Sequence, residues 1–448
     1  MSENRSALHS LTVGSISKNM LFFSLPLVCT NLLQVLFNMV DIAVVGKFAG
    51  TTALGAVGST PQLIFLFTGL LMGLGSGVNV VTAYYIGAKD RKSVGETVHT
   101  GFLLCLATGL LLLFVGGFFG RTILSTMNTK ADLIEDAVLY FRIYMISMPA
   151  ASLYNFGNAI FSATGDTKKP LYFLLASGLV NVVLDLVFVI PLGMGVAGVA
   201  LATVISQYIS AFLVISALFR AHGHIRLCFS HFRIEKSKLR RLVAIGIPAG
   251  LQNAIFAFAN VFVQIGVNSF DSIMVAGNSA SANVDPLIYN VMAAFYVACA
   301  TFIGQNYGAQ NKSRVKNSYL IATFFAFFVA FVLGGLLFIF GRDVMSLFSS
   351  DSAVISAALH RVKIMAFSYC VSAFMDNSIA ACRGLGKTFL PSIFVFLGSC
   401  VFRIAWIYTV FAYFGTIEAL FLLYIFSWGI TGIFEIAYFI HIFKKVFK

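Results

Sequence analysis

Asn31, Gln34, Asn38 and Asp41 recur at spacings of three and four residues within an apolar run, so a helix would carry all four on one face. Farther along, Asn181 and Asp185 are four apart, as are Thr203 and Gln207. Two carboxylates joined by amide and hydroxyl oxygens form a ligand set for a hard cation such as Na⁺. The same pair, brought together away from water, could carry protons instead. Residue types alone leave both ions open. Asp285, Asp376, Arg403 and Glu435 also fall inside apolar runs. Each ionisable group costs roughly 2.5 to 3.5 kcal/mol in a bilayer on insertion scales, so each needs a reason to be there. Arg403 and Glu435 are expected to form an internal ion pair. Asn253, Asn260 and Gln264 share one face, suited to hydrogen-bonding a substrate or binding a neighbouring helix. With Gln34, Asn38, Tyr140, Asn158, Gln207, Asp285 and Asp376 they make up the expected substrate-lining set.

The elements that position these residues must cross a membrane. The chain has 448 residues, 59% hydrophobic and 10% charged, and its apolar runs repeatedly exceed the ~18 to 20 residues a spanning helix needs. Twelve such runs are expected, near 20-45, 54-82, 96-119, 137-160, 170-191, 195-219, 242-267, 274-303, 317-340, 353-380, 389-413 and 417-442. They are too long for barrel strands and lack strict alternation, so the fold class is an all-α membrane protein. No cleaved signal peptide is expected, because the polar start with Glu3, Arg5 and His9 has no apolar h-region.

The net charge of +13 does not point to nucleic acid, because most Lys and Arg residues fall in alternate loops on the side of the N-terminus. Only Lys47, Arg121, Lys130 and Arg342 lie on the other side. By the positive-inside rule both termini are expected to be cytoplasmic, in a plasma or bacterial inner membrane. Of the seven cysteines, six fall inside spans without metal-ligand spacing and read as small hydrophobes. His99, His360 and His441 lie near span ends, so no span offers a histidine base for an intramembrane enzyme.

The chain also resembles itself at an offset of 221 to 222 residues. Pro26 falls on Pro248, Asn38 on Asn260, Gly87-Ala88 on Gly308-Ala309, Gly120-Arg121 on Gly341-Arg342, and Gly165, Thr167 and Pro170 on Gly386, Thr388 and Pro391. Matches concentrated at turns and prolines indicate a duplicated design of two six-helix lobes around a central cleft. The expected division is an N-lobe over 1-220, a basic linker over 221-241 and a C-lobe over 242-448. Pro26 and Pro248 are expected hinges, and a Gly69, Gly73, Gly77 ladder is expected to pack helices closely. With a rise of ~1.5 Å per residue, Asp41, Asp185 and Thr203 all converge on the outer half of the membrane. The offset takes Asp41 to Val263 and Asp185 to Trp406, so the acidic pair is expected in one lobe only.

With Pro26 followed by NMVDIAVVGKFAGTTALGAVG, then YYIGAKDRK, SATGDTKKP, LVNVVLDLVFVIPLGMGVAGVALATVIS and TFIGQNYGAQ, the chain resembles the multidrug and toxic compound extrusion (MATE) family over nearly its whole length. The resemblance implies cation-coupled export of cationic or amphiphilic drugs, driven by H⁺ or Na⁺, without enzymatic activity or cofactor. It implies a cation site at Asp41, Asn181, Asp185 and Thr203, the cluster the depth count gathers. Some members use a glutamate on the seventh helix, but GIPAGLQNAIFAFAN holds amides and no carboxylate. Small organic cations and the lipid bilayer are the expected partners, nucleic acid is not, and a monomer is expected. A flippase for lipid-linked headgroups is the nearest alternative; it would favour a basic cleft.

Overall fold

A computed structural model describes residues 11–127, 130 and 132–448, apart from the side chain of Thr51. The polar start containing Glu3, Arg5 and His9 lies outside the described residues. Every regular element among them is helical. Among the described residues eleven helices are long and apolar enough to cross a membrane: α1 Ile16–Ala49, α2 Thr52–Gly87, α3 Arg91–Thr126, α5 Lys168–Val189, α6 Gly195–Phe219, α7 Lys236–Val267, α8 Ser272–Gly308, α9 Lys312–Ile339, α10 Ser352–Gly384, α11 Phe389–Phe414 and α12 Ile417–Val446. The remaining expected span, α4, is split into Ile134–Met145 and Met148–Ala163, with Pro149 in the first turn of the second piece. Neither piece is long enough to cross alone. At the break Tyr208 of α6 donates its hydroxyl to the Ile146 carbonyl at 3.1 Å, giving a partner to a polar group that lipid cannot solvate. α7 starts at Lys236, inside the segment expected to be linker.

The chain folds into two compact units, one of Cys29–Gly250 and the other of Leu11–Val28 with Leu251–Lys448. The divisions fall two residues beyond Pro26 and Pro248, so the first part of α1 belongs to the second unit and the first part of α7 to the first unit. Paired turns hold these early parts. In the second unit Arg314 donates to the carbonyls of Gly14 (2.8 Å) and Leu11 (3.0 Å), and Leu11 N–H donates to Gln305 at 3.1 Å. In the first unit Arg241 donates to Tyr85 Oη and Lys238 to Ser93 Oγ, both at 2.7 Å. At an offset of 221 Tyr85 falls on Asn306 and Ser93 on Arg314, so YYIGAKDRK and TFIGQNYGAQ do corresponding work in their own units.

The duplication reaches the backbone. Among the described residues the two non-glycines with positive φ are Lys89 at 56° and Gln310 at 55°, 221 residues apart. Asp90 and Asn311 follow them as N-caps, accepting from Ser93 N–H and Arg314 N–H at 3.1 Å each, which satisfies helix-end donors.

Within the first unit α2 and α7 meet backbone to backbone. A Cβ at Gly73 would stand 2.2 Å from Gly250 N, and one at Gly77 2.8 Å from the Leu242 carbonyl. The glycine ladder is therefore a packing surface at these two positions, as small residues let helices approach in lipid. The basic linker is docked rather than loose. His99 Nε2 accepts from Cys228 N–H at 3.1 Å, and Phe232 stacks on Phe102 with ring centroids 5.0 Å apart.

Candidate functional site

α5 places its polarity inward. Ser177, Gly178, Asn181 and Asp185 are buried at three- and four-residue spacing, while Tyr172, Leu179 and Val183 are exposed. A stripe of this kind is stable in lipid because its apolar side faces hydrocarbon and its polar side faces protein. The α5–α6 turn is short because Gly193 and Gly195 adopt φ of 62° and 54°, a region glycine enters without steric cost. It returns the chain so that α6 packs along α5 and brings Thr203 to the same depth.

α1 approaches α5 at Gly178, where an added Cβ would lie 1.9 Å from the Phe37 ring. One turn beyond Phe37, the Asp41 carboxyl comes within hydrogen-bonding reach of Asp185 and Thr203. α1 then changes to a π-helical turn over Val45–Ala49; such turns are common at functional positions. Tyr140 and Tyr144 of α4 complete the surroundings, both close enough to Asp41 to interact electrostatically, and Tyr140 to Asp185 as well.

Asp185 is completely buried, and Asn181 and Thr203 are buried with it. Asp41 Oδ1, both oxygens of Asp185 and Asn181 Nδ2 are buried without a hydrogen-bond partner. Thr203 Oγ1 spends its proton on the Val199 carbonyl at 3.0 Å, leaving lone pairs for the cluster. Among the described residues no lysine or arginine pairs with either carboxylate. Neighbouring carboxylates with orphaned oxygens and no counter-charge cannot both stay bare in a low dielectric. A proton or a hard monovalent cation resolves the conflict, whereas two carboxylates without His or Cys are a poor site for a transition metal.

The other sequence candidates are dispersed. Gln34 and Asn38 are exposed and Gln207 is half-buried. Asn158 accepts from Ser162 at 3.5 Å, and Asn253 is half-buried. In the second unit Gln264 donates to Asn268 at 2.8 Å, while Asn260 accepts from Arg403 Nη1 at 2.8 Å. Asp285 is held by Arg361 and by the Tyr369 hydroxyl. Asp376 accepts from Ser372 at 3.0 Å. Val263 is buried, and Trp406, the expected counterpart of Asp185, donates Nε1 to the Ala419 carbonyl at 2.9 Å.

The expected ion pair of Arg403 with Glu435 does not form. Arg403 bonds Asn260 and Ser427, whereas Glu435 is buried with Arg383 and Asp376 as its charged neighbours. Spacing along two helices does not reveal which faces meet, and π-helical turns over Phe396–Val401 and Ile407–Phe411 rotate the faces of α11 on either side of Arg403. Arg361 was not singled out from the sequence. The available signal was its opposite charge to Asp285, with both residues inside apolar runs of the same half.

A family model, MatE, matches residues 26–187 and again 248–409, so both copies begin at the paired prolines Pro26 and Pro248. The chain is 27% identical over 388 residues to the probable multidrug resistance protein YoeA of Bacillus subtilis, covering 85% of this chain and 83% of that one. It is 24% identical to the probable multidrug resistance protein NorM of Thermotoga maritima (90% and 87% covered) and 25% identical to an FAD transporter of Shewanella oneidensis (81% and 80%). A solved structure described as the outward-facing conformation of a multidrug resistance MATE family transporter superposes with a TM-score of 0.92 over 98% of both chains, at 21% identity. With the family model matched twice along a duplicated, membrane-spanning helical chain, this protein belongs to the MatE family of transporters.

Proposed function

We propose that this transporter exports small cationic or amphiphilic organic compounds by alternating access, in exchange for H⁺ or Na⁺ taken up at Asp41, Asn181, Asp185 and Thr203. The observation that carries this reading is the pairing of half-buried Asp41 with buried Asp185, whose orphaned oxygens have no basic partner. Occupied by a proton or Na⁺ the pair is neutralised; emptied, it repels itself. Loading and unloading therefore bias the packing of α1 against α5 and α6, the kind of two-state bias that couples an ion to a conformational change. The names of the curated relatives, which include multidrug resistance proteins and an FAD transporter, support an organic substrate. The distribution of basic loops supports a plasma or bacterial inner membrane with both termini cytoplasmic, and the chain is taken to work as a monomer.

The test is gradient-driven efflux of an organic cation from vesicles carrying wild type or the Asp41→Asn, Asp185→Asn double variant. The double variant should fold but lose gradient-driven efflux. Efflux at the wild-type rate would overturn the reading. Imposing H⁺ and Na⁺ gradients separately on the wild type identifies the ion.

A further inference from the structure

We infer that the second unit contains a separate binding site for an oxyanion carried on a flat aromatic ring, centred on Arg403. Arg403 lies inside α11 at 1% exposure, yet no Asp or Glu among the described residues lies within ion-pairing distance of it. Two of the acids within the spans of its unit are bonded elsewhere, Asp285 to Arg361 and Tyr369 and Glu418 to His360, while Asp376 accepts from Ser372 and, like Glu435, has Arg383 rather than Arg403 as its basic neighbour. Arg403 keeps only neutral company. Nη1 donates to Asn260 Oδ1 at 2.8 Å, Nε donates to Ser427 Oγ at 3.2 Å, and the guanidinium lies 4.7 Å from the Tyr424 ring centroid. These contacts satisfy donors and leave the charge uncompensated, whereas buried charges are ordinarily paired.

The surroundings suit a planar ligand. Tyr424 lies 5.2 Å from Trp428, and Trp428 lies 6.3 Å from Tyr369, measured between ring centroids. This gives a run of aromatic faces beside the guanidinium. Asn260 is exposed, so the arginine can be approached from the side on which it meets α7. A guanidinium fork matches a carboxylate or phosphate in two hydrogen bonds.

The duplication adds a second, independent argument. Before the π-helical turn Phe396–Val401 the offset between α5 and α11 is 221, as Pro170 and Pro391 show. A π turn takes up one extra residue, so beyond it the offset becomes 222. Arg403 then stands where Asn181 stands in α5, beside Asn260, which stands where Asn38 stands in α1. Asp185 now falls on Ile407. The position that belongs to a cation cluster in the first unit therefore carries a cation in the second, and the two units have opposite polarity at equivalent places. This inference rests on the chain being an exporter of organic compounds, and it widens the substrate class to aromatic anions and zwitterions.

The test is equilibrium binding of carboxyfluorescein to the purified full-length protein in phosphatidylcholine nanodiscs, with no gradient, so that failure of the export reading does not affect the result. Wild type should bind the dye. Arg403→Gln should weaken binding at least about tenfold, the loss of a charge-assisted contact, and Arg403→Lys should restore part of it. Binding of the cationic dye rhodamine 6G should be unchanged in both. Because Arg403→Gln could disturb folding, Asn260→Asp is the second variant: it supplies the missing counter-charge in place and should abolish carboxyfluorescein binding in a folded protein. No dye binding to wild type, or undiminished binding in Asn260→Asp, would overturn the site. Loss of dye binding when phosphatidylglycerol replaces phosphatidylcholine would assign the arginine to a lipid headgroup and overturn the aromatic assignment.

Discussion

Phe37 of α1 lies in the notch left by Gly178 of α5, where a Cβ would come within 1.9 Å of its ring. Asp41 is one turn past Phe37, and Asp185 two turns past Gly178. The contact therefore sets the distance between the two carboxylates. Gly178→Leu should push α1 away and cost about 1 to 3 kcal/mol as an overpacked core substitution. Ion-driven efflux should fall more steeply than the amount of folded protein, and Gly178→Leu with Phe37→Ala should recover part of it. Efflux per folded molecule and thermal unfolding in detergent measure the two effects. Unchanged efflux per molecule in Gly178→Leu would show that carboxylate spacing does not depend on this contact.

Arg361 and Asp285 give a cleaner energetic test because both charges can be removed. The Arg361 side chain is 5% exposed and that of Asp285 31%, and Tyr369 and Ser281 bond within the same group. Asp285→Asn leaves a buried guanidinium without its charge partner and should destabilise the protein by about 3 kcal/mol. Adding Arg361→Met should recover much of that, since removing a buried pair altogether costs less than breaking it. Unfolding midpoints of the four proteins complete the cycle. Additive losses would mean the two residues do not act as a pair.

The polar cluster of the first half was legible because helix geometry is rigid. With a constant rise and one hundred degrees per residue, Asp41, Asp185 and Thr203 could be given a depth and a face from numbering alone. The same arithmetic failed for Arg403 and Glu435. A π turn precedes Arg403 and another follows it, and neither has a sequence signature as plain as proline. The split in α4 was equally hidden. Pro149 marked the place, but proline is also common at helix starts, where its missing N–H costs nothing. The docking of the linker on α3 joins His99 to Cys228 and Phe102 to Phe232, partners more than a hundred positions apart, and no local pattern reports such a contact.

Gly73 predicts the sensitivity of the α2–α7 contact. A Cβ there would meet backbone atoms of Gly250 and Gly246 at 2.2 to 2.7 Å, and backbone cannot turn aside as a flexible side chain can. Gly73→Ala should therefore destabilise far more than Gly117→Ala, where a Cβ meets nothing within 4 Å. Gly117→Ala should be neutral or slightly stabilising, because alanine is the better helix former. Comparing the two unfolding midpoints checks the argument, and equal values would mean that the close approach of α2 and α7 is not maintained in the membrane.

Pro248 lies two residues before the point where α7 passes from one compact unit to the other. Proline has no N–H to offer the Ala244 carbonyl, so α7 lacks one rung of its ladder where a bend would be needed. Toward its start, α7 is held by Lys238 and Arg241 on Ser93 and Tyr85 and by glycine packing against α2. With that end anchored, any change in the direction of the later part must be absorbed near Pro248. Pro248→Ala restores the rung and should raise the unfolding midpoint by the equivalent of about 1 kcal/mol while slowing efflux. Pro248→Gly should keep the flexibility, lower the midpoint and leave efflux near the wild-type rate. If the alanine variant transports as fast as wild type, α7 does not bend at this residue, and the proline serves only to seat the helix against its neighbours.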